Sequence, residues 1–502
     1  MSSGATQSIP AGQYFRHEPE KTILYRAIAE NFETFLDLGR GNSGEAKSLP
    51  RHVHEEVQAY LRCGILANGF TRLHCQQCKT ERFVAFSCKK RGFCPSCGGK
   101  RMNEVAAHLV DSVIPHETVR QWVMSFPFSV RYALAYNPKI VTGTLSVFVR
   151  TISNWIVKRA RRSGIDGKTG VITFVQRFGG AINLNVHFHS LFLDGVYYED
   201  RGKLKFFRIP GPTDHEVAIL VQRIRNRVVR YLSKRGYAID DFSEDPLAFE
   251  NPIMVALFGA SIQSRIAVGE RAGQKVRRIG HDASVGVVYR IGNRCAVCDG
   301  FSLHANVKIE GRDRDKLEKL VRYSARPPVA LERLSETTDG KILYRLKKEY
   351  FDGTTHVLFD PIELVEKIVA LIPPPRANLL RYHGVFAPNS KERGNIVPVP
   401  EAAELSPTEV VETSPANRSW SEMLKRSFAI DIMKCSACGG TMRLISHIEE
   451  PIVIAKILGH MGLPTEAPWV HPPRAPPLQT EFFEEASTPA THDEFYQPSF
   501  DE

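Results

Sequence analysis

The chain has 502 residues, 43% of them hydrophobic and 24% charged, and its formal net charge is +11. This length and composition predict about two to four globular domains and exclude a chain that is disordered throughout. Residues 475–502 contain seven acidic residues and no Lys or Arg, so the remainder is more basic than the total charge shows. Such an excess of positive charge favours a polyanionic partner, with nucleic acid as the first candidate.

The N-terminus and the cysteines indicate the cellular compartment. No basic segment followed by an apolar one opens the chain, and no uncharged apolar run reaches about 18 residues. We therefore predict a cytoplasmic protein without membrane contact. Eight of the ten cysteines stand in Cys-x-x-Cys pairs, which in a cytoplasmic protein favours metal thiolates over disulfides.

Residues 1–50 are predicted to be a polar leader with one docking helix, and residues 51–110 to be a zinc-binding domain. Two knuckles, Cys75-Gln-Gln-Cys78 and Cys94-Pro-Ser-Cys97, offer the four thiolates of one tetrahedral zinc site. The substitute ligands, or members of a second site, are Cys63, Cys88 and His74. Cations around the knuckles predict a surface that grips DNA phosphates. These cations are Lys89, Lys90, Arg91, Lys100 and Arg101.

Residues 111–395 are predicted to form an α+β domain with a central antiparallel sheet flanked by helices. A hairpin is expected from the strand Gly170–Phe178, the turn at Gly179-Gly180 and a second strand that carries His187 and His189. Residues two apart on a strand share a face, so the two imidazoles form two corners of a divalent metal site. An isolated pair of this kind is more often a surface or hydrogen-bonded pair, so the metal site depends on the rest of the chain.

The helix predicted for residues 313–326 carries Tyr323 between Arg322 and Arg326. A single tyrosine in such a place is usually a packing residue. Between two guanidinium groups, however, its phenolate can be stabilised and a phosphate can be held beside it. Upstream of this helix, a predicted strand over residues 300–308 carries His304.

Two further segments are less specific. A strand is predicted at residues 284–291, and the basic loop 265–280 is either a solvated turn or a contact for phosphate groups. The C-terminal part is divided into a linker, a small module and a disordered acidic tail, at residues 396–420, 421–463 and 464–502. The module contains a third knuckle, Cys435-Ser-Ala-Cys438. Because this knuckle has only two thiolates, a complete site needs Cys295 and Cys298 or other ligands.

Several motifs occur in a characteristic order after the cysteine knuckles. They are Arg120-Gln-Trp-Val-Met-Ser-Phe-Pro, Gln176-Arg-Phe-Gly-Gly-Ala-Ile-Asn-Leu-Asn-Val-His-Phe-His, Gly300-Phe-Ser-Leu-His-Ala, Arg322-Tyr-Ser-Ala-Arg-Pro-Pro and Arg381-Tyr-His-Gly-Val-Phe-Ala-Pro. Together they resemble the rolling-circle transposases of bacterial insertion sequences, which belong to the HUH endonuclease class. Some members carry a second catalytic tyrosine four residues away. Lys319 stands at that position here, so the chain resembles the single-tyrosine branch that includes the common-region elements.

The resemblance implies a DNA transposase that nicks and joins single-stranded DNA. His187 and His189 would hold Mg²⁺ or Mn²⁺ with a third ligand, for which His304 is preferred over Gln176. Tyr323, assisted by Arg322 and Arg326, would attack the phosphate and form a 5′-phosphotyrosine. The expected partners are the single-stranded element ends and the target DNA, in the bacterial cytoplasm, with zinc as a structural ion.

Two other functions remain open from the sequence. An HUH replication initiator or relaxase would use the same histidines and tyrosine, and it differs in whether cut ends are joined to a new target. A non-catalytic zinc-finger DNA-binding protein would use the knuckles alone. If Tyr323 is not the nucleophile, Tyr382 in the Arg381-Tyr-His-Gly motif is the next candidate.

Overall fold

The structure is a computed structural model, and it describes residues 16–40, 49–237, 251–280, 292–350, 352–398, 421–422, 425–426 and 431–474. The α-helices are α1 (Ile23–Arg40), α2 (Arg51–Arg62), α3 (Pro95–Ser112), α4 (Phe128–Tyr136), α5 (Pro138–Arg162), α6 (Asp214–Ser233), α7 (Pro252–Ile262), α8 (Arg314–Ala325), α9 (Pro361–Leu371), α10 (Arg393–Ile396) and α11 (Pro451–His460). The strand predicted at residues 284–291 and most of the linker lie outside the described residues.

The β-strands form one large sheet and three small ones. They are β1 (Phe70–Cys75), β2 (Glu81–Ala85), β3 (Val119–Ser125), β4 (Gly170–Phe178), β5 (Leu184–Leu193), β6 (Gly195–Asp200), β7 (Lys203–Arg208), β8 (Arg277–Ile279), β9 (Cys295–Cys298), β10 (Phe301–His304), β11 (Lys308–Ile309), β12 (Leu334–Glu336), β13 (Ile342–Arg345), β14 (His356–Phe359), β15 (Leu380–Gly384) and β16 (Met442–Ile448). Part of the basic loop 265–280 forms β8, which pairs with β14 in a sheet of order β12-β13-β14-β8.

The centre of the larger domain is the predicted antiparallel sheet. Its order is β15-β4-β5-β3-β10-β9, with β11 also paired to β3, and β4 and β5 pair with Gln176 opposite His187. Every residue of β3, β4 and β5 is buried. Helices cover both faces of these strands, which explains why strands of an antiparallel sheet have little polar alternation here.

Alternate residues of β5 enter two separate cores. Phe188 packs against Phe148 of α5, with ring centroids 6.2 Å apart, whereas Leu191 shares a core with Val321 of α8. His187 and His189 are odd-numbered like Leu191, so they face the layer that contains α8. The mixed architecture of helices and sheets thus brings the tyrosine helix over the histidines, as predicted.

The zinc-binding domain is assembled from both ends of the described chain. In its sheet, β1 lies between β2 and β16, and Cys75 is opposite Met442. The sequence predicts a separate module at residues 421–463, but the structure joins this segment to β1. The physical reason is that Met442 and Ile432 bury their side chains in a small core with Leu73, and so short a segment cannot build a core alone.

The leader helix and the start of the tail pack together. Helix α1, predicted to be a docking helix, contacts α9 and β12. The backbone N–H of His471 donates to the Ala29 carbonyl at 2.9 Å, and that of Arg474 donates to the Thr34 hydroxyl at 3.0 Å. The tail predicted to be disordered from residue 464 therefore begins with an ordered stretch held by these two bonds, and the rest of it lies beyond the described residues.

Within the residues that the structure describes, one helix, α5, is long and apolar enough to cross a membrane by length and composition. Half of its most apolar window is buried inside the protein, and its last turn carries Arg159, Arg161 and Arg162. Its Phe148 side chain is fully buried against the central sheet. These contacts are those of a helix in the core of a globular domain.

Candidate active site and metal centres

The two histidines of β5 form a buried pair at the centre of the sheet. His187 Nε2 lies 3.0 Å from His189 Nε2, and the side chains are 2% and 1% exposed. His187 donates from Nδ1 to the Asn185 carbonyl at 2.8 Å. In the neutral ring its Nε2 atom therefore carries a free lone pair that can accept a hydrogen bond or bind a metal. Burial lowers the pKa of His187 to about 4 and the pKa of His189 well below its ordinary value. Both imidazoles are therefore neutral at pH 7, the form that binds metals.

The nitrogen separation fits a divalent ion. An octahedral Mg²⁺ with bonds of about 2.0–2.1 Å places adjacent ligand atoms about 3.0 Å apart. Among the described residues, groups of three or more His, Cys, Asp or Glu ligand atoms within 4.8 Å are formed by cysteines alone. A third ligand for this pair must therefore come from an amide, from a residue that moves, or from the substrate.

Two buried glutamines connect the histidine strand to the tyrosine helix. Gln121 Nε2, on β3, lies 3.0 Å from His189 Nδ1 and 3.2 Å from Ser324 Oγ. Gln176 Nε2, on β4, donates to the carbonyls of Ser324 and Tyr323 at 2.8 and 3.3 Å. Within the described part of the chain, the Oε1 atoms of both glutamines are buried and have no hydrogen-bond partner. An amide oxygen such as that of Gln176, opposite His187, is a donor that a hard divalent ion prefers. The Gln121 amide instead faces the Nδ1 atom of His189.

Tyr323 lies where the sequence predicts it, on α8 and beside the histidines. Its ring centroid is 6.0 Å from that of His189. The guanidinium of Arg326 and the ammonium of Lys347 lie 4.4 and 4.3 Å from the ring centroid. Burial raises the pKa of the Tyr323 hydroxyl, and the charge of Arg326 opposes that rise. The structure thus places two cations over the ring.

The other predicted site residues are placed differently. Arg322 donates to Glu318 at 2.6 Å, one turn back on the same helix, so the cations beside the ring are Arg326 and Lys347 and not the predicted Arg322. His304, on β10, is opposite Val123 of β3, which is opposite His189. His304 shares the face of the histidine pair but lies two strands away from β5, about 10 Å between backbones.

Gln121 and Lys347 are site residues that the sequence analysis missed. Gln121 belongs to the Arg120-Gln-Trp motif, and the alternation of β3 allows it to face either layer until the register with β5 is known. Lys347 follows β13, and no local pattern connects it with Tyr323. Only the packing of the small sheet beside α8 brings this ammonium to the ring.

The cysteines form two clusters, but the predicted grouping is wrong. One cluster contains Cys63, Cys88, Cys94 and Cys97, and the other contains Cys75, Cys78, Cys435 and Cys438. The sequence instead grouped the knuckles Cys75/Cys78 and Cys94/Cys97 around one ion. The physical reason for the difference is that β1 carries the first knuckle to the edge shared with β16, while the second knuckle opens α3 beside the end of α2.

The first cluster fits a structural zinc ion. The Sγ atom of Cys63 is 3.7 Å from those of Cys97 and Cys94, and the Sγ atoms of Cys88 and Cys97 are 3.4 Å apart. A tetrahedral ion with Zn–S bonds of about 2.3 Å separates its ligands by about 3.8 Å. Helix α3 begins at this cluster and packs on α8. A zinc ion there would therefore fix the helix that supports the tyrosine helix.

A basic cavity of about 170 Å³ lies between the zinc-binding domain and the end of α8. Among the described residues, the lining contains no Asp or Glu, and Gln176 and Ser324 belong to it. It also contains five cations: Lys90, Arg91, Arg101, Arg177 and Arg326. A water needs roughly 10–15 Å³ on the same measure, so larger groups fit. The cavity wall is therefore rich in positive charge close to Ser324, the neighbour of Tyr323.

Comparisons with known families agree with this arrangement. Residues 32–126 match the family model described as "Transposase zinc-binding domain", and residues 170–393 match the one described as "Putative transposase". The second match contains both histidines and Tyr323. No curated protein and no solved structure matches the chain. The two domain matches, in this order, support an insertion-sequence transposase, a protein of DNA transposition with a zinc-binding domain ahead of its transposase domain.

Proposed function

We propose that the transposase is an HUH single-strand endonuclease and strand transferase, which nicks and joins the ends of its element in rolling-circle transposition. The observation that carries this proposal is the convergence of Tyr323 with His187 and His189. These residues come from segments far apart in the chain, yet the tyrosine ring centroid lies 6.0 Å from that of His189. Direct attack on a phosphate held at the histidines requires such proximity.

The proposed ion is Mg²⁺ or Mn²⁺, held by the Nε2 atoms of His187 and His189. When bound, it would neutralise charge on a non-bridging phosphate oxygen and on the leaving 3′ oxygen. For the third ligand, we favour Gln176 over His304, which the sequence analysis preferred. Gln176 is directly opposite His187 on the neighbouring strand and has an orphaned oxygen, whereas His304 is two strands from β5.

The proposed covalent step uses the tyrosine. The Tyr323 hydroxyl loses its proton and its oxygen forms a bond to phosphorus, the bond from phosphorus to the 3′ oxygen breaks, and that 3′ oxygen takes up a proton as a free hydroxyl, so the step is neutral in protons overall. The product is a 5′-phosphotyrosine, which preserves the phosphodiester energy for rejoining to another 3′ hydroxyl. Because burial raises the pKa of Tyr323, the positive charges of Arg326 and Lys347 are needed to stabilise its phenolate.

The basic cavity supports the proposed substrate. Cations on both of its walls, such as Arg91 from the zinc-binding domain and Arg326 from the end of α8, can hold backbone phosphates without reading the bases. The cavity ends at Ser324, next to the proposed nucleophile. A single strand held there would present a phosphate to Tyr323.

The test is covalent attachment to a single-stranded oligonucleotide that carries the element end, with Mn²⁺ or Mg²⁺. The wild-type protein should form an adduct that survives denaturation and should release a fragment with a free 3′ hydroxyl. Tyr323→Phe should bind the DNA and form no adduct, whereas the matched control Tyr382→Phe should form it. His187→Ala with His189→Ala should abolish both cleavage and adduct.

Other outcomes select other functions. An adduct that survives in Tyr323→Phe and is lost in Tyr382→Phe would move the nucleophile to β15. Cleavage and rejoining without transfer to a new target would indicate a replication initiator or relaxase. DNA binding with no adduct under any of these conditions would leave a zinc-dependent DNA-binding protein. The proposed setting for the reaction is the bacterial cytoplasm, where element and target DNA lie.

A further inference from the structure

The second cysteine cluster joins segments that are far apart in the sequence. Cys75 and Cys78 come from the end of β1, while Cys435 and Cys438 precede β16. The Sγ atoms of Cys75 and Cys438 are 3.5 Å apart, and those of Cys78 and Cys435 are also 3.5 Å apart. All four sulfurs lie within 4.8 Å of one another. Neither matched family segment, 32–126 or 170–393, reaches the second pair.

The two pairs have the same turn geometry. In the first, the Lys79 N–H donates to the Cys75 carbonyl at 3.1 Å, and the Cys75 N–H donates to the Thr80 carbonyl at 2.9 Å. In the second, Gly439 and Cys435 make the equivalent bonds, at 3.0 and 2.7 Å. The residue after the second cysteine is left-handed in both turns, with φ of 65° at Lys79 and 75° at Gly439.

The left-handed backbone conformation of Lys79 indicates that the shared turn geometry is required by the fold. A glycine adopts this conformation at no cost, whereas a lysine does so rarely. The same turn in two unrelated sequences aims two sulfurs from each side at one point. Two knuckles that face each other in this way form a complete set of four thiolate ligands.

The sulfur separations distinguish a metal site from disulfides. A disulfide requires sulfurs about 2.05 Å apart, and the 3.5 Å observed between each facing pair is close to the edge of about 3.8 Å in a tetrahedral zinc thiolate. Four soft sulfur donors with no carboxylate or imidazole select zinc over Mg²⁺ or Ca²⁺.

We propose that Cys75, Cys78, Cys435 and Cys438 bind a second zinc ion, which fastens the C-terminal segment 431–463 to the N-terminal zinc-binding domain. The ion completes a three-stranded sheet whose strands come from opposite ends of the described chain. The small core beside it contains few apolar residues, and Leu444 and Ile445 of β16 are 53% and 50% exposed. A second small core, in which Ile454 and Leu458 of α11 are buried with Leu66 and Phe70, also holds the segment. The ion would add four ligand bonds to these modest apolar contacts.

The C-terminal part of the described chain also contacts the support of the tyrosine helix. Arg426 pairs with Asp111 of α3 and with Glu318 of α8, and Glu318 in turn accepts a hydrogen bond from Arg322. These ion pairs are separate from the proposed zinc site.

The first test is zinc stoichiometry. Native mass spectrometry of the reduced wild-type protein should find two zinc ions per chain, and Cys435→Ser with Cys438→Ser should retain one. The matched control, Cys295→Ser with Cys298→Ser, removes a Cys-x-x-Cys pair that belongs to neither cluster and should retain two. One zinc ion in the wild-type protein, or two in the Cys435/Cys438 variant, would overturn the proposal.

A second measurement does not depend on the variants. Treatment of wild-type protein with a zinc chelator, without reductant, should make the thiols of this cluster available to alkylation and should accelerate hydrogen exchange in β16 while exchange in β4 and β5 is unchanged. Thiols that stay blocked until a reductant is added would indicate disulfides and refute the zinc site. Exchange in β16 that is unchanged after zinc loss would refute the fastening role.

Discussion

Gln121 provides the sharpest test of how the active site is organised. With a metal at the Nε2 atoms of both histidines, the Nδ1 atom of His189 must carry the proton. Gln121, which lies 3.0 Å from that Nδ1, then has to present its carbonyl oxygen as the acceptor. The amide orientation found without an ion, with Nε2 toward His189, must therefore turn over when the ion binds.

The expected loss of metal affinity follows from the hydrogen-bond partners of the Gln121 amide. Replacing Gln121 by Leu keeps a similar volume and removes the contacts to His189 and Ser324. Ser324 retains its bond to the Leu320 carbonyl at 2.9 Å, so the penalty falls on His189. Loss of an outer partner of a metal-bound histidine weakens metal binding about 10–100-fold, which is about 1.4–2.8 kcal/mol.

The assay is Mn²⁺ titration of the purified protein, followed by adduct formation at saturating Mn²⁺. Gln121→Leu should bind Mn²⁺ about 10–100-fold more weakly and recover much of its adduct formation when Mn²⁺ is raised. Gln121→Glu, an obligate acceptor, should bind at least as tightly as wild type. Gln222→Leu, an exposed position on α6, is the matched control. Unchanged Mn²⁺ affinity in Gln121→Leu would show that Gln121 only packs, and the reasoning would fail.

Three further predictions concern stability and DNA binding. Asp194→Asn breaks a buried ion pair with Arg120 (2.8 Å) and should lower the free energy of unfolding by about 3–5 kcal/mol. The control, Asp166→Asn, breaks an exposed ion pair and should cost less than about 1 kcal/mol. Equal losses of the two variants in urea denaturation would contradict this prediction. Burial lowers the pKa of His187 to about 4, so between about pH 4 and the ordinary pKa near 6.5 the unfolded state binds more protons than the folded state. The free energy of unfolding of the metal-free protein should therefore fall by about 2 kcal/mol through this residue between pH 7 and pH 5. The His187→Asn variant should lose less stability over the same range, and an equal loss would assign the effect to another residue. Lys90→Ala with Arg91→Ala should reduce the slope of log affinity against log salt concentration by about 1.4 for single-stranded DNA, because each phosphate contact contributes about 0.7. The slope can be measured by fluorescence anisotropy. An unchanged slope would exclude the cavity as the DNA path.

Local patterns in the sequence were sufficient for the parts of the site that lie within one element. The two-residue period of a strand put His187 and His189 on one face, and the helical pattern around Tyr323 put the tyrosine at the end of α8. The hairpin of β4 and β5 followed from the glycines between two apolar runs. Each of these inferences needs only neighbouring residues, because the periodicity of an element is a local property.

Partnerships between distant segments could not be read from the sequence. Cys-x-x-Cys spacing shows that a knuckle binds metal but does not say which other knuckle completes the site, so Cys75/Cys78 were paired with the nearest knuckle and not with Cys435/Cys438. Likewise, the amide of Gln121 and the ammonium of Lys347 reach the site only through strand register and sheet packing. Chain composition and local period determined the elements and their chemistry, whereas the burial of apolar faces against one another decided which elements meet.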